Sequence, residues 1–162
     1  MNAIDISTGR IHDLADKFEI TELVHRLGRA LDEGDWTELA TLYTPDATAQ
    51  TPGGLAVGRT ALVTQASRNH SPDKHIQHII TGIIVDLDGD TARVRANLLA
   101  VFAWGPAQDP TLGSQPRLTL GEVYRFEAAR TPAGWQFASV ASSPVWSVGT
   151  RPTAAQPPLM TR

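Results

Sequence analysis

The hydrophobic period of this chain changes once, near Ser71-Pro72, and that change restricts the fold more than any other feature. Ahead of it, Ile11, Leu14, Phe18, Ile20, Leu23, Val24, Leu27 and Leu31 recur at three- and four-residue steps, the signature of one face of an amphipathic helix. Gly34 is a natural stop for that helix. Asp35-Trp36-Thr37-Glu38 then has the form of a capping box opening a short second helix. Thr44-Pro45-Asp46 breaks it, Ala47 to Thr51 is extended, Pro52-Gly53-Gly54 turns the chain, and a third helix is expected over 59–69. Behind the break the period is two, with strands predicted over His75–Leu87, Thr91–Trp104, Arg117–Ala128 and Gly134–Ser142. Asp88-Gly89-Asp90 joins the first two as a tight hairpin. In Thr91–Trp104 every even position is apolar while Arg93, Arg95 and Asn97 interrupt the odd face, so the even face is the buried one. Helices first and a strand meander afterwards give a segregated α+β domain, not an alternating βαβ chain.

The 162 residues, 41% of them hydrophobic, suit a single core. The expected division is a flexible N-terminus over 1–10, one α+β domain over 11–143, and a Pro-rich tail over 144–162 that folds over a pocket mouth or a neighbouring subunit. A net charge of −3 with 19% charged residues offers no basic surface for nucleic acid. No leader peptide or membrane span is expected. With no cysteine there is no thiolate nucleophile, cysteine zinc site or disulfide framework, and a cytoplasmic location is the default expectation. Gly-rich phosphate loops, the G-x-S-x-G elbow and the H-E-x-x-H helix are all missing, so neither nucleotide nor metal cofactor is expected.

The order of elements resembles a known family. Ala30-Leu31-Asp32-Glu33-Gly34-Asp35-Trp36 and Leu42-Tyr43-Thr44-Pro45-Asp46-Ala47 are similar to the opening of SnoaL-like domains in the nuclear transport factor 2-like superfamily. Gln77-His78, Asp88-Gly89-Asp90-Thr91-Ala92 and Arg130-Thr131-Pro132-Ala133-Gly134-Trp135 fall where that family has its strand histidine, first hairpin and last hairpin. The resemblance implies a cone-shaped α+β barrel, with N-terminal helices packed on a curved, mostly antiparallel sheet around an apolar pocket. Its relatives include scytalone dehydratase, hexachlorocyclohexane dehydrochlorinase, bile-acid dehydratase, ketosteroid isomerase and polyketide cyclases, together with members of no known catalysis. In the dehydratase and dehydrochlorinase branch an aspartate after the first helix orients a strand histidine that takes a proton from carbon, and Asp32 and His78 match those positions. The chain departs from the scytalone dehydratase pattern at Leu31, where that enzyme has tyrosine, and across Val101 to Trp104, where it has a second histidine.

His78 lies between Ile76 and Ile80 on the even face of its strand, in the apolar surroundings suited to a general base; the bland alternative is a core histidine bonded to a backbone carbonyl. Asp32 sits in the last helical turn, facing the negative end of the helix dipole, so helix stability does not explain it. Its alternative is a solvated acid beside Glu33 and Asp35. His75 and His78, three apart on a strand, point to opposite faces and do not form a metal pair. Trp36, Tyr43, Phe102, Trp104, Tyr124 and Trp146 are the aromatic candidates for lining a substrate pocket, and Asn97, Tyr124 and Arg125 the polar candidates for holding a carbonyl or leaving group. Two functions stay open: a cofactor-independent lyase or isomerase acting on a small, partly apolar cyclic molecule, and a binding or oligomerisation module of the same fold. The two are separated by whether Asp32 and His78 lie within hydrogen-bonding distance. A homodimer or homotrimer is expected, assembled through the outer face of the sheet.

Overall fold

The computed structural model describes residues 3–68, 74–105 and 113–150. The Ser71-Pro72 break, residues 106–112 between the second and third expected strands, and the chain from 151 onward lie outside the described residues. The elements run α1 (Ala3–Glu33), α2 (Trp36–Thr41), β1 (Tyr43–Thr51), β2 (Gly54–Val57), α3 (Arg59–Ser67), β3 (Lys74–Asp88), β4 (Thr91–Trp104), β5 (Pro116–Thr131) and β6 (Gly134–Gly149).

Helix α1 ends as its sequence dictates. Gly34 takes φ +67°, which a side chain would disfavour, and the Asp35 N–H reaches back to the Ala30 carbonyl at 2.9 Å, closing the helix in the manner of a Schellman turn. The Asp35 carboxylate then accepts the Glu38 N–H at 2.8 Å and caps α2. The reciprocal arm of the expected capping box is not formed, because the Asp35 N–H is already committed to α1. The Glu38 carboxylate accepts from Arg26 Nε at 2.7 Å instead and ties α2 to α1.

The six strands form one sheet in the order β2-β1-β6-β5-β4-β3. Its pairs are antiparallel except β1 with β6, which run parallel. Pro45, with no N–H to give, falls in the irregular stretch between Tyr43 and Thr48 where the β1–β6 ladder slips. Further register shifts occur between Thr81 and Ile84, Phe102 and Ala103, Gly121 and Glu122, and Glu127 and Ala128. Such irregularities bend strands, and they account for the curvature of the sheet. The curvature does not close it. The expected barrel is an open sheet with β2 and β3 at its edges, because no pairing joins them.

Ile20, Leu23, Val24, Leu27 and Ala30 of α1 are buried with the even face of β4 (Ala92, Val94, Ala96, Leu98, Ala100) and with Phe126 and Phe137 of β5 and β6. Two boundaries differ most from expectation. Helix α1 begins at Ala3 rather than Ile11, and the start of its apolar stripe, Ile11, Leu14 and Phe18, is exposed. Strand β6 continues through 144–149 and pairs with Leu118 to Gly121, so that part of the expected tail belongs to the sheet.

Asp16 pins α1 to the last hairpin. Its carboxylate accepts from Arg130 Nη2 at 2.6 Å and from the Trp135 indole N–H at 3.0 Å. The hydrogen bond from Arg130 holds the Asp16 carboxyl below its usual value, opposed by partial burial and helped by the Trp135 bond. A carboxylate with a lowered folded-state pKa adds stability that is present above its unfolded value near pH 4 and lost as pH falls through the folded value. Asp16→Asn is therefore expected to cost on the order of 1 kcal/mol at pH 7, kept small because Arg130 is well exposed to solvent. In urea titrations the gap between variant and wild type should narrow below about pH 4; a gap independent of pH would refute the ionic role.

Candidate active site

The concave face of the sheet and the helices enclose a cavity of about 300 Å³. Its wall is apolar, with Leu27, Leu31, Leu39, Ile76, Leu98 and Leu120 among its lining residues, and its polar groups are few.

His78 reaches this cavity from β3 and Asp32 stands beside it in the last turn of α1. The two are joined at three points. Asp32 Oδ1 lies 2.7 Å from His78 Nδ1, and the same carboxylate accepts the His78 backbone N–H at 2.9 and 3.1 Å. An ionised carboxylate only accepts, so a neutral imidazole paired with one carries its proton on Nδ1 and has Nε2 as its accepting nitrogen. Gly28 packs closely against the strand here: a Cβ at that position would sit 3.2 Å from Ile80 Cδ1, which would have to shift by a few tenths of an ångström, and in ordinary contact, 3.7 Å, with the His78 carbonyl oxygen. The His78 side chain is 10% exposed and that of Asp32 26%, so the pair is largely shielded from water.

Of the expected aromatic lining, Tyr43, Phe102, Trp104 and Tyr124 border the cavity. Burial pushes both tyrosine hydroxyls well above their usual pKa, and for Tyr124 the neighbouring Tyr43, Glu122 and Asp32 add to the shift. Both phenols therefore stay protonated and available as donors over the whole physiological range.

Four expected contacts are corrected. Trp36 lies at the corner between α1 and α2 with its ring against Gly34, outside the cavity lining. Asn97 is on the exposed odd face of β4, since its parity is opposite to that of the buried residues; Arg125 is likewise exposed on β5. Trp146 would have faced inward had β6 kept its alternation. Glu122 pairs with Pro144 and Gly121 with Trp146, leaving Val145 as an extra residue that turns Trp146 outward onto the bare α-carbon of Gly121. Trp146 is half exposed there.

Sequence reasoning missed Glu122. It is buried at 7% exposure and lines the cavity from β5. The signal was present: Leu118, Leu120, Tyr124, Phe126 and Ala128 make an apolar even face in which Glu122 is the one charged member. Gln65 and Ser142 are further polar lining residues not anticipated. Among the described residues no three of His, Asp and Glu converge to hold a metal ion, and no helix is long and apolar enough to cross a membrane.

Solved structures of similar fold include a Kribbella flavida protein, 22% identical over 84% of this chain and 95% of that one with a TM-score of 0.73. A nuclear transport factor 2-like protein with a cystatin-like fold from Novosphingobium aromaticivorans is 27% identical over 88% and 90%, with a TM-score of 0.70. A hexachlorocyclohexane dehydrochlorinase is 18% identical over 95% and 99%, with a TM-score of 0.71. No curated protein matches the sequence. The profile of the SnoaL-like domain matches residues 12–141, most of the chain and all of its site-bearing elements up to the middle of β6. The chain belongs to the SnoaL-like domain family.

Proposed function

We propose that this protein is a cofactor-independent lyase or isomerase that removes a proton from carbon in a small cyclic organic molecule, with His78 as the base. The observation that carries the reading is the 2.7 Å contact between Asp32 and His78 Nδ1 at the wall of an apolar cavity. It is the distance that an orienting carboxylate requires, and it weighs against the binding-module alternative. In the proposed step His78 Nε2 accepts the proton, Asp32 holds the ring and stabilises the imidazolium, and the Tyr43 and Tyr124 hydroxyls donate to the charge that develops on the neighbouring oxygen. Elimination of water or halide, isomerisation and cyclisation can all begin this way. The likeness to a dehydrochlorinase is in keeping with that set.

A test that needs no knowledge of the natural substrate is hydrogen–deuterium exchange at the α-carbons of 2-tetralone, a bicyclic ketone of suitable size, followed by NMR in D₂O. Exchange faster than buffer supports the reading. Native mass spectrometry of the purified protein would reveal a retained ligand directly.

We also propose that the protein is a dimer or trimer assembled through the outer face of the sheet. Ile79, Leu99, Gly121 and Trp146 form one row of paired residues across β3 to β6, with Ile79 and Trp146 42% and 50% exposed. Light scattering at micromolar concentration should give a multiple of the 17.5 kDa chain mass, reduced by Trp146→Glu. A monomer in the wild type would refute it.

A further inference from the structure

Glu122 takes no part in the chemistry proposed above, yet it is the most unusual group in the cavity wall. It stands on the inner face of β5 between Leu120 and Tyr124, opposite Leu98 of β4 and Pro144 of β6. At 7% exposure it is nine-tenths buried. Its carboxylate makes no side-chain hydrogen bond and no ion pair among the described residues. The lining of the cavity contains no lysine or arginine that could neutralise it. Buried polar groups are almost always hydrogen-bonded, and leaving a charged one unpaired is strongly unfavourable. The Glu122 oxygens are not enclosed by the protein, Thr44 Oγ1 being the enclosed side-chain oxygen without a partner among the described residues, so they open to the cavity and are served by water or by its occupant.

We infer that Glu122 is the anchor for a hydroxyl group of the ligand, so that the molecule taken into this cavity is a neutral cyclic alcohol or phenol. A carboxylate only accepts, so the ligand must present a donor at this point. Acid anions are disfavoured by charge, because Glu122 borders the cavity, Asp32 stands behind His78, and no lysine or arginine lines the wall to offset them. An ammonium ion would complement the charge but not the surroundings. It brings three N–H donors out of water, whereas of the neighbours of Glu122 across and along the sheet Leu98, Leu120 and Pro144 accept nothing from their side chains and only the Tyr124 hydroxyl can. One hydroxyl donor is satisfied by one carboxylate oxygen. With Glu122 on β5 and His78 on β3, separated by β4, such a bond would fix the ring between anchor and base.

This deepens the reading of the cavity as a ligand site, on which it rests, but it is independent of proton transfer. The test uses four probes of one shape: 2-naphthalenemethanol, 2-ethylnaphthalene, 2-naphthoate and 2-naphthylmethylammonium, titrated by calorimetry against wild type, Glu122→Leu, Glu122→Gln and His78→Ala. Wild type should bind the alcohol about 10- to 100-fold more tightly than the hydrocarbon, the range of a charge-assisted hydrogen bond, and should bind the carboxylate most weakly. In Glu122→Leu the alcohol should lose its advantage and the hydrocarbon should gain. Should that variant fail to fold, Glu122→Gln, which keeps shape and one acceptor oxygen but not the charge, should show a reduced preference of a few-fold. His78→Ala should keep the full preference, so failure of 2-tetralone exchange would remove the catalytic reading without touching this one. Equal binding of alcohol and hydrocarbon by wild type, tighter binding of the carboxylate or the ammonium, a preference unchanged in both Glu122 variants, or no binding of any probe would overturn the inference.

Discussion

His78→Ala is expected to reduce proton exchange on 2-tetralone to the buffer rate, a loss on the order of 10²- to 10⁴-fold, while ligand affinity changes by no more than a few-fold. The lost interaction belongs to the transition state: in the ground state the imidazole is one wall group among many, and only when a proton leaves carbon does Nε2 form a bond. The substitution is also structurally mild. The His78 backbone N–H would still donate to Asp32, at 2.9 and 3.1 Å in the native chain, so the end of α1 stays tied to β3. Asp32→Asn is less clean for the same reason. It removes the charge that stabilises the imidazolium, and it also puts an amide where two N–H groups converge, so it should lower stability as well as rate. The decisive comparison is thus the histidine variant. Exchange at the wild-type rate in His78→Ala would return His78 to the role of a core residue held by a carboxylate.

The contrast between these two substitutions shows what could be read from the sequence and what could not. Strand β4 was legible from end to end because each even residue from Ala92 to Trp104 is apolar, and its bounds in the structure are those its period predicts. The pairing of Asp32 with His78 was anticipated through the family resemblance and not through local pattern, since the two are 46 residues apart. Strand β2 was missed because four residues, Gly54 to Val57, carry no periodic signal of their own. Its place is set by β1, which in turn pairs with the distant β6. The outward turn of Trp146 was illegible for a related reason: a single inserted residue, Val145, reverses the face of all that follows, and an insertion is visible only against the partner strand. Glu122 was overlooked by the opposite error. It stands in the sequence as a single charge in an apolar alternation, a pattern that marks a buried carboxylate without saying what it faces.

The second large effect is expected in the core behind the site. Phe137 is fully buried, and its ring stacks on Phe126 at 4.5 Å between centroids and packs at a tilt against Tyr43 at 5.9 Å. Its N–H also donates to the Leu42 carbonyl at 2.8 Å, where β6 meets the start of β1. Phe137→Ala keeps that backbone bond but removes the ring, and the cavity left between two aromatic neighbours cannot collapse easily because both are held in the sheet. A loss of about 3–5 kcal/mol is expected, a large part of the roughly 5–15 kcal/mol that holds a domain of this size together. It should appear in urea as a lower midpoint with an unchanged slope. Phe126 in turn supports Tyr124, with ring centroids 5.2 Å apart, so both cavity tyrosines lose backing at once. Probe affinity should therefore fall along with stability, even though Phe137 does not line the cavity. Phe137→Leu, which refills most of the volume, should recover more than half of both losses. If Phe137→Ala cost less than about 1 kcal/mol, the aromatic stack would not be what holds the tyrosines in place, and their support would have to be sought in β4 instead.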